Sequence, residues 1–359
     1  MRKLVLVLLV AATAGVGHET LTTTVLFDRE IVRILDKHCV MCHAEDGPSF
    51  PLATYEQTWL KKRQVRAEVI ARHMPPWAAV SGYGQFANEN SLTLRETQFV
   101  ISWVEGLGPR NAGTVFTNTA IAAARPKEVE VHTDFGRWEL GRPELERQIP
   151  AHAIEPGRDS VERSVVDLGL ASERRLGALE FMPSDRRVVR AAFFTIQETG
   201  QWIGSWTPWY GFMSLPKGTA YRVPAGSHVV AEIHYRGSKE RVTAGGTLGL
   251  FFADAAAKDL ISDVALKPSV RLAADTYVVS LLPEIGPGVK SVEVSARKPD
   301  GGTEVLLFAK DISAEWPTPY ILKEPVALPR GTILSATQGV RVTASTFTAR
   351  RPGSGSPRR

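Results

Sequence analysis

The 359-residue chain has only two cysteines and five methionines, no histidine after His234 and no methionine after Met213. Two cysteines are too few for a disulfide framework in a chain of this size. Residues 235–359 therefore contain neither imidazole nor thioether, the ligands a mixed His/Met copper centre needs. No nucleophile-elbow or phosphate-loop spacing occurs around the serines and glycines. Paired acids such as Glu144 and Glu146 are read as solvated surface. Lysine plus arginine number 43 against 38 acids, interspersed along the length, so the net charge of +5 gives no block suited to nucleic acid. Apart from the first residues there is no long apolar run.

Those first residues carry a pattern. Arg2 and Lys3 precede the apolar run Leu4–Val10 and then the small residues AATAGVG. This is the layout of a secretory signal, too short for a membrane span, with cleavage expected between Ala14 and Gly17. A retained anchor is the alternative. Residues 1–17 are thus expected to be a signal peptide, and the mature chain to be periplasmic or otherwise exported, with no transmembrane segment.

Both cysteines fall in one motif, Cys39-Val-Met-Cys42-His43. Two thiols about one helical turn apart can add across the two vinyl groups of one porphyrin, and the next histidine can supply an imidazole nitrogen to the iron. The competing readings are a redox dithiol, a disulfide or half of a zinc site. A zinc site wants a second Cys/His pair, and a thioredoxin-like site wants a βαβ context; neither is found. One covalent haem c on Cys39 and Cys42, with His43 as an axial ligand, is the expectation.

The flanks read as helical. Asp28 can cap a helix bearing Ile31, Ile34 and Leu35 on one face. Thr93 and Glu96 form a capping box ahead of Phe99, Val100, Trp103, Val104 and Leu107, and Gly108-Pro109 ends that run. A further helix is expected over Leu60–Arg72. The second axial ligand is expected to be Met74 in Arg-His-Met-Pro-Pro-Trp, where Pro75 and Pro76 stiffen the loop. His73 is the rival, and Trp77 is expected near the haem edge or in the core.

Residues 111–126 read as a linker and 346–359 as a basic, disordered tail. Between them, β-branched and aromatic runs alternate with Gly/Pro turns, as in Val188–Ile196, His228–Tyr235, Thr247–Phe252, Tyr277–Leu282, Val289–Ala296 and Glu304–Phe308. That pattern argues for two β-sandwiches, at 127–255 and 256–345. Trp202, Trp206, Trp209 and Tyr210 form the densest aromatic cluster, suited to an inter-domain core or a hydrophobic cleft.

Two resemblances bear on this. FDREIVRILDKHCVMCH, LATYEQ, VIARHMPPWAA, FANENSLTLRET and FVISWVEGLGP resemble a bacterial monohaem cytochrome c family, which implies iron ligation by His43 and Met74. GRWELGRPELERQIP, MPSDRRVVRAAFF, LPKGTAYRVPAGSHVVAEIHYRGS, GTLGLFF and PDGGTEVLLFAKDISAEWPTPYILKEPVALPRGT resemble the two-domain jelly-roll of copper type II, ascorbate-dependent monooxygenases. The copper ligands of that family are largely missing here. Its His-His pair falls on Arg190 and Ala191, its His-x-His on Pro283-Glu284-Ile285-Gly286, and its late methionine has no counterpart. His234 alone matches a ligand position.

The resulting expectation is a multidomain chain, with a small all-α cytochrome c domain at 18–110 followed by all-β tandem jelly-roll sandwiches. It would act as an exported electron carrier toward a redox partner protein, the sandwiches serving as scaffold or docking region. Copper and a catalytic residue are not expected. The alternatives are a haem-coupled copper monooxygenase, and a haem sensor or peroxidase with an open distal site.

Overall fold

The structure, a computed structural model, describes residues 23–45, 47, 49–112, 136–254 and 257–348. The expected signal peptide, most of the expected linker and nearly all of the expected tail lie outside these residues, as do His18 and His132.

Four helices are described, all before residue 106. A π-type turn at Phe27–Ile31 runs into α1 (Val32–His38), followed by α2 (Val40–His43), α3 (Tyr55–Ile70) and α4 (Leu94–Glu105). Eighteen strands follow. In the first half they are β1 (Leu145–Ile154), β2 (Ser160–Asp167), β3 (Arg174–Pro183), β4 (Val189–Ile196), β5 (Trp202–Trp206), β6 (Phe212–Ser214), β7 (Thr219–Val223), β8 (His228–Tyr235), β9 (Val242–Phe252) and β10 (Asp259–Leu260). In the second half they are β11 (Ser262–Leu266), β12 (Ser269–Arg271), β13 (Thr276–Glu284), β14 (Ser291–Arg297), β15 (Thr303–Lys310), β16 (Tyr320–Leu328), β17 (Ile333–Ala336) and β18 (Arg341–Phe347).

The strands make four sheets. One runs β1-β9-β3-β7-β10, with β6 also on β3, and another runs β2-β8-β4-β5. The other two run β11-β18-β13-β16 and β12-β17-β14-β15. Each consecutive pair of sheets encloses one core. In the first, Leu179, Phe181, Leu248 and Leu250 meet Ala192, Phe194, Ala231 and Ile233. In the second, Val278, Leu281 and Val342 meet Val294, Ala296, Leu307 and Leu334. The reason is the period-two alternation of each strand: along β8, Val229, Ala231, Ile233 and Tyr235 are buried while the residues between them are half-exposed. Interleaving early and late strands in both sheets of a pair is the strand order of a jelly roll.

The expectation of a small all-α domain ahead of the sandwiches is overturned. The molecule is predominantly β, at 42% strand against 15% helix, and the N-terminal part does not close on itself. Its helices do share a core of Phe27, Ile31, Leu35, Val65, Val100 and Trp103. Between α3 and α4, however, the chain leaves that core and joins the second sandwich. Trp77 and Phe86 are buried there, their rings 5.3 Å from Tyr320. Val80 N–H donates to Phe308 O at 2.7 Å and Lys310 N–H to Ala78 O at 2.9 Å. Ala87 N–H donates to Ile321 O at 2.7 Å and Lys323 N–H to Gln85 O at 2.8 Å. The physical reason is edge protection. β15 and β16 are the outer strands of the two sheets facing each other, and residues 78–87 pair with both of their open edges.

Three local expectations also need adjusting. α3 begins at Tyr55 rather than Leu60, because Thr54 and Gln57 form a capping box that starts the helix a turn earlier. It stops at Ile70, short of Arg72. Asp28 does not serve as the N-cap: Glu30 accepts from the Leu26 N–H at 2.9 Å, and the turn that follows is π-type.

Candidate functional site

The Cys-x-x-Cys-His segment sits where α1 runs out. Cys39 N–H still donates to Leu35 O at 2.8 Å, and His43 N–H donates to Cys39 O at 2.9 Å, so α2 is one tight turn carrying both thiols and the imidazole. Leu35 and Val40 are buried on either side and fix that turn against the helical core. The chain then folds back. Leu52 N–H donates to His43 O at 2.7 Å. Gly47 is required in this return, because a Cβ there would collide with the Cys42 carbonyl oxygen.

His43 Nδ1 lies 2.7 Å from the Phe50 carbonyl oxygen, and the two rings are 4.8 Å apart. A carbonyl can only accept, so Nδ1 carries the proton and Nε2 keeps its lone pair. A ring nitrogen bonded to a backbone carbonyl fixes both the tautomer and the orientation of the imidazole, as it does for a histidine that ligates a metal through its other nitrogen. Burial pushes the His43 pKa down, the Phe50 carbonyl partly restores it, and the Arg236 charge lowers it further. The imidazole is thus held neutral, the form that can ligate.

Burial pushes both thiols up to about 12, with Cys42 adding to the effect on Cys39 and Arg186 partly opposing it at Cys42. Redox and nucleophilic cysteines are found where the thiolate is favoured. This pair is the reverse, a poor fit to a dithiol exchanger. Both are free in the structure.

Met74 is placed by the end of α3. Arg72 takes the left-handed conformation at φ 58°, and His73 N–H turns back to Glu68 O at 3.0 Å, closing the helix. Met74 then lines a cleft of about 710 Å³ whose far wall comes from the second sandwich, including Ile285, Gly286, Trp316 and Tyr320. Cys39, Cys42 and His43 are not among its walls. His73, the rival ligand, is exposed and turned toward α3, with Nδ1 3.1 Å from Glu68 Oε2.

The positions aligned with copper ligands hold other chemistry. Arg190 Nη1 pairs with Asp159 at 3.1 Å and approaches Glu315 at 3.8 Å, with its guanidinium 5.7 Å from the Trp316 ring centre. Ala191 is buried, and Glu284 lies 3.4 Å from Arg341. His234 Nε2 is 3.0 Å from Glu232 Oε1 and its ring lies edge-on to Phe193. His228 is bound to Glu198 at 2.8 Å, His152 to Ser164 at 2.8 Å and His38 to Asn90 at 3.1 Å. Among the described residues, no three His, Cys, Asp or Glu side chains converge to hold a metal ion.

Of the aromatic cluster, Trp202 and Trp206 are buried in the first sandwich. Trp209 reaches out of it, 6.2 Å from Trp316, and donates to Asn88 O at 3.2 Å. Asn88 itself is buried. Its side chain donates to Pro319 O at 2.7 Å and accepts from Ile321 N–H at 3.0 Å, so the side chain holds the second sandwich while the backbone carbonyl holds Trp209 of the first. Sequence reasoning missed Asn88, Gly47 and the Phe50 carbonyl. A carbonyl carries no sequence signal, and the glycine alone could have been flagged.

No family model matches the chain, and no curated protein matches it. Among solved structures, a vicilin from Solanum melongena is 10% identical, spans 57% of this chain and 82% of its own, and superposes with a TM-score of 0.10. No helix among the described residues is long and apolar enough to cross a membrane.

Proposed function

We propose that the chain is an exported electron-transfer protein carrying one covalently attached haem c. Cys39 and Cys42 provide the thioether attachments, His43 Nε2 the proximal ligand and Met74 the distal one. The observation that carries the reading is His43: its Nδ1 is occupied by the Phe50 carbonyl at 2.7 Å, leaving Nε2 as the donor beside two protonated thiols. The haem supplies a reversible one-electron couple, whose potential a thioether ligand raises. The protein's part is to keep His43 neutral and oriented, and to hold Met74 on a loop closed against the second sandwich. A redox partner protein is the source or sink of the electron. The copper-monooxygenase alternative draws no support from the pairing of Arg190 and His234 with carboxylates.

The test is haem stoichiometry by pyridine haemochrome on protein matured in an exporting, haem-attaching host. One haem per chain, attached through both thiols, is expected. Cys42→Ser should leave a single thioether and a less stable N-terminal segment. Met74→Ala should abolish the weak long-wavelength band of thioether-ligated ferric haem and lower the midpoint potential. Chain recovered without covalent haem from that host would overturn the proposal.

A further inference from the structure

The outer side of α3 is not the polar face that a surface helix normally turns to solvent. At 3.6 residues per turn, Thr58, Val65 and Val69 fall together and are buried, while Leu60, Arg63, Gln64 and Ala67 fall on the opposite side and are exposed. Leu60 is 76% exposed and the neighbouring Trp59 40%. Leu107, just beyond α4, is 70% exposed and takes the left-handed conformation at φ 69°, where glycine is the usual residue. Trp59 Nε1–H donates to the Leu107 carbonyl at 3.2 Å, so these side chains belong to one patch.

Cations border it. Lys62 Nζ sits 3.3 Å from the centre of the Trp59 ring, and Lys61 Nζ 5.1 Å from that of Phe50. Phe50 is the residue whose carbonyl holds His43. A single residue therefore separates the basic edge of the patch from the Cys-x-x-Cys-His turn. The acids on these helices are engaged elsewhere: Glu56 with Arg110 at 3.4 Å, Glu68 with His73 at 3.1 Å and Glu105 with Arg66. Lys61, Lys62 and Arg63 pair with no carboxylate among the described residues.

An exposed aromatic and apolar centre with charges at its border has the make-up of a protein-binding surface. Uncompensated cations there select an acidic partner and steer its approach. They fall short of the about four to eight that hold a segment on an anionic membrane. In a twofold pair of this chain they would face their own copies and repel.

We infer that the outer face of α3, with Leu107, is the docking surface for an acidic redox partner protein. Trp59, Leu60 and Leu107 form its centre, and Lys61, Lys62 and Arg63 meet the partner's carboxylates. The inference rests on the haem reading above and names the chemistry of the partner which that reading requires.

The experiment uses the full-length haem-loaded chain and, as probe, a reduced plant-type two-iron ferredoxin, a small acidic protein. One electron passes from its cluster to the ferric haem, and stopped-flow absorbance gives the second-order rate. The wild-type rate should fall as salt is raised. At low salt the pair Lys61→Glu/Arg63→Glu should lower it about tenfold or more. Leu60→Ser should lower it at all salt concentrations. Arg297→Glu/Arg330→Glu, the same change of charge on exposed residues of the second sandwich, should change it less than about twofold. All these substitutions are on the surface, so folding and haem content should be kept. Equal losses from the two charge pairs would overturn the inference, since only net charge would then matter. So would an unchanged rate in Lys61→Glu/Arg63→Glu. Capture of the wild type by phosphatidylglycerol vesicles, lost in that variant while its ferredoxin rate is unchanged, would assign the face to a membrane instead. A wild-type dimer that Leu60→Glu dissociates would assign it to self-association and equally overturn the inference. Absence of haem from the wild type would overturn the reading on which the inference depends.

Discussion

Glu96 stands in the first turn of α4 and accepts from the Thr93 backbone and hydroxyl, both at 2.8 Å. Its other oxygen lies 3.3 Å from His38 and 3.4 Å from Lys37, one turn before the cysteines. Partial burial would raise its pKa, but the Thr93 bonds and then the His38 and Lys37 charges hold it down to about 2. A carboxylate depressed in the folded state contributes stability above its unfolded value, and that contribution is lost as pH falls through the folded value. Stability tied to Glu96 should therefore drain away between about 4.5 and about 2. Glu96→Gln should flatten that part of the curve of unfolding free energy against pH, and identical slopes would count against the assignment. The capping half of this arrangement was legible in the Thr93-x-x-Glu96 spacing. The half that reaches His38 was not, because it spans 58 residues of chain.

At the scale of elements, residues 78–87 turn a helical segment into part of a β-sandwich. The repeated β-branched runs identified strands well: His228–Tyr235 is a strand over that range, and Val188–Ile196 differs by one residue. The same method had nothing to say about 78–87, which has no periodicity of its own and takes its conformation from the edges it covers. Trp77 shows how much depends on this. It was read as haem edge or core, and it packs 5.8 Å from Phe86 and 5.3 Å from Tyr320, inside the second sandwich. Truncating a buried tryptophan costs about 3–5 kcal/mol. Trp77→Ala should lower the denaturant midpoint of the second sandwich, whereas Leu60→Ala on the exposed face of α3 should change it little. Equal midpoints for Trp77→Ala and the wild type would contradict the packing described.

For the whole molecule, Asn88 ties the N-terminal segment to both sandwiches. Removing its side chain strands a buried carbonyl and a buried N–H, each costing about 1–3 kcal/mol. If the chain carries haem as proposed, unfolding of the loaded protein followed by haem absorbance, by tryptophan fluorescence and by far-ultraviolet dichroism should coincide. In Asn88→Ala the haem signal should move to lower denaturant, ahead of the dichroism change. Separate transitions in the wild type would mean that the N-terminal segment folds independently after all.

Local chemistry settled the parts of this protein that are written in short stretches of sequence. The single turn that carries Cys42 and His43 just after Cys39, the capping boxes and the alternation of the strands each depend on residues a few positions apart. Tertiary structure decided the rest, because it depends on where distant edges and charges meet. The helical segment has no closed domain of its own, since two open sheet edges are better satisfied by residues 78–87 than by water. Asn88 is buried only because three parts of the chain converge on it.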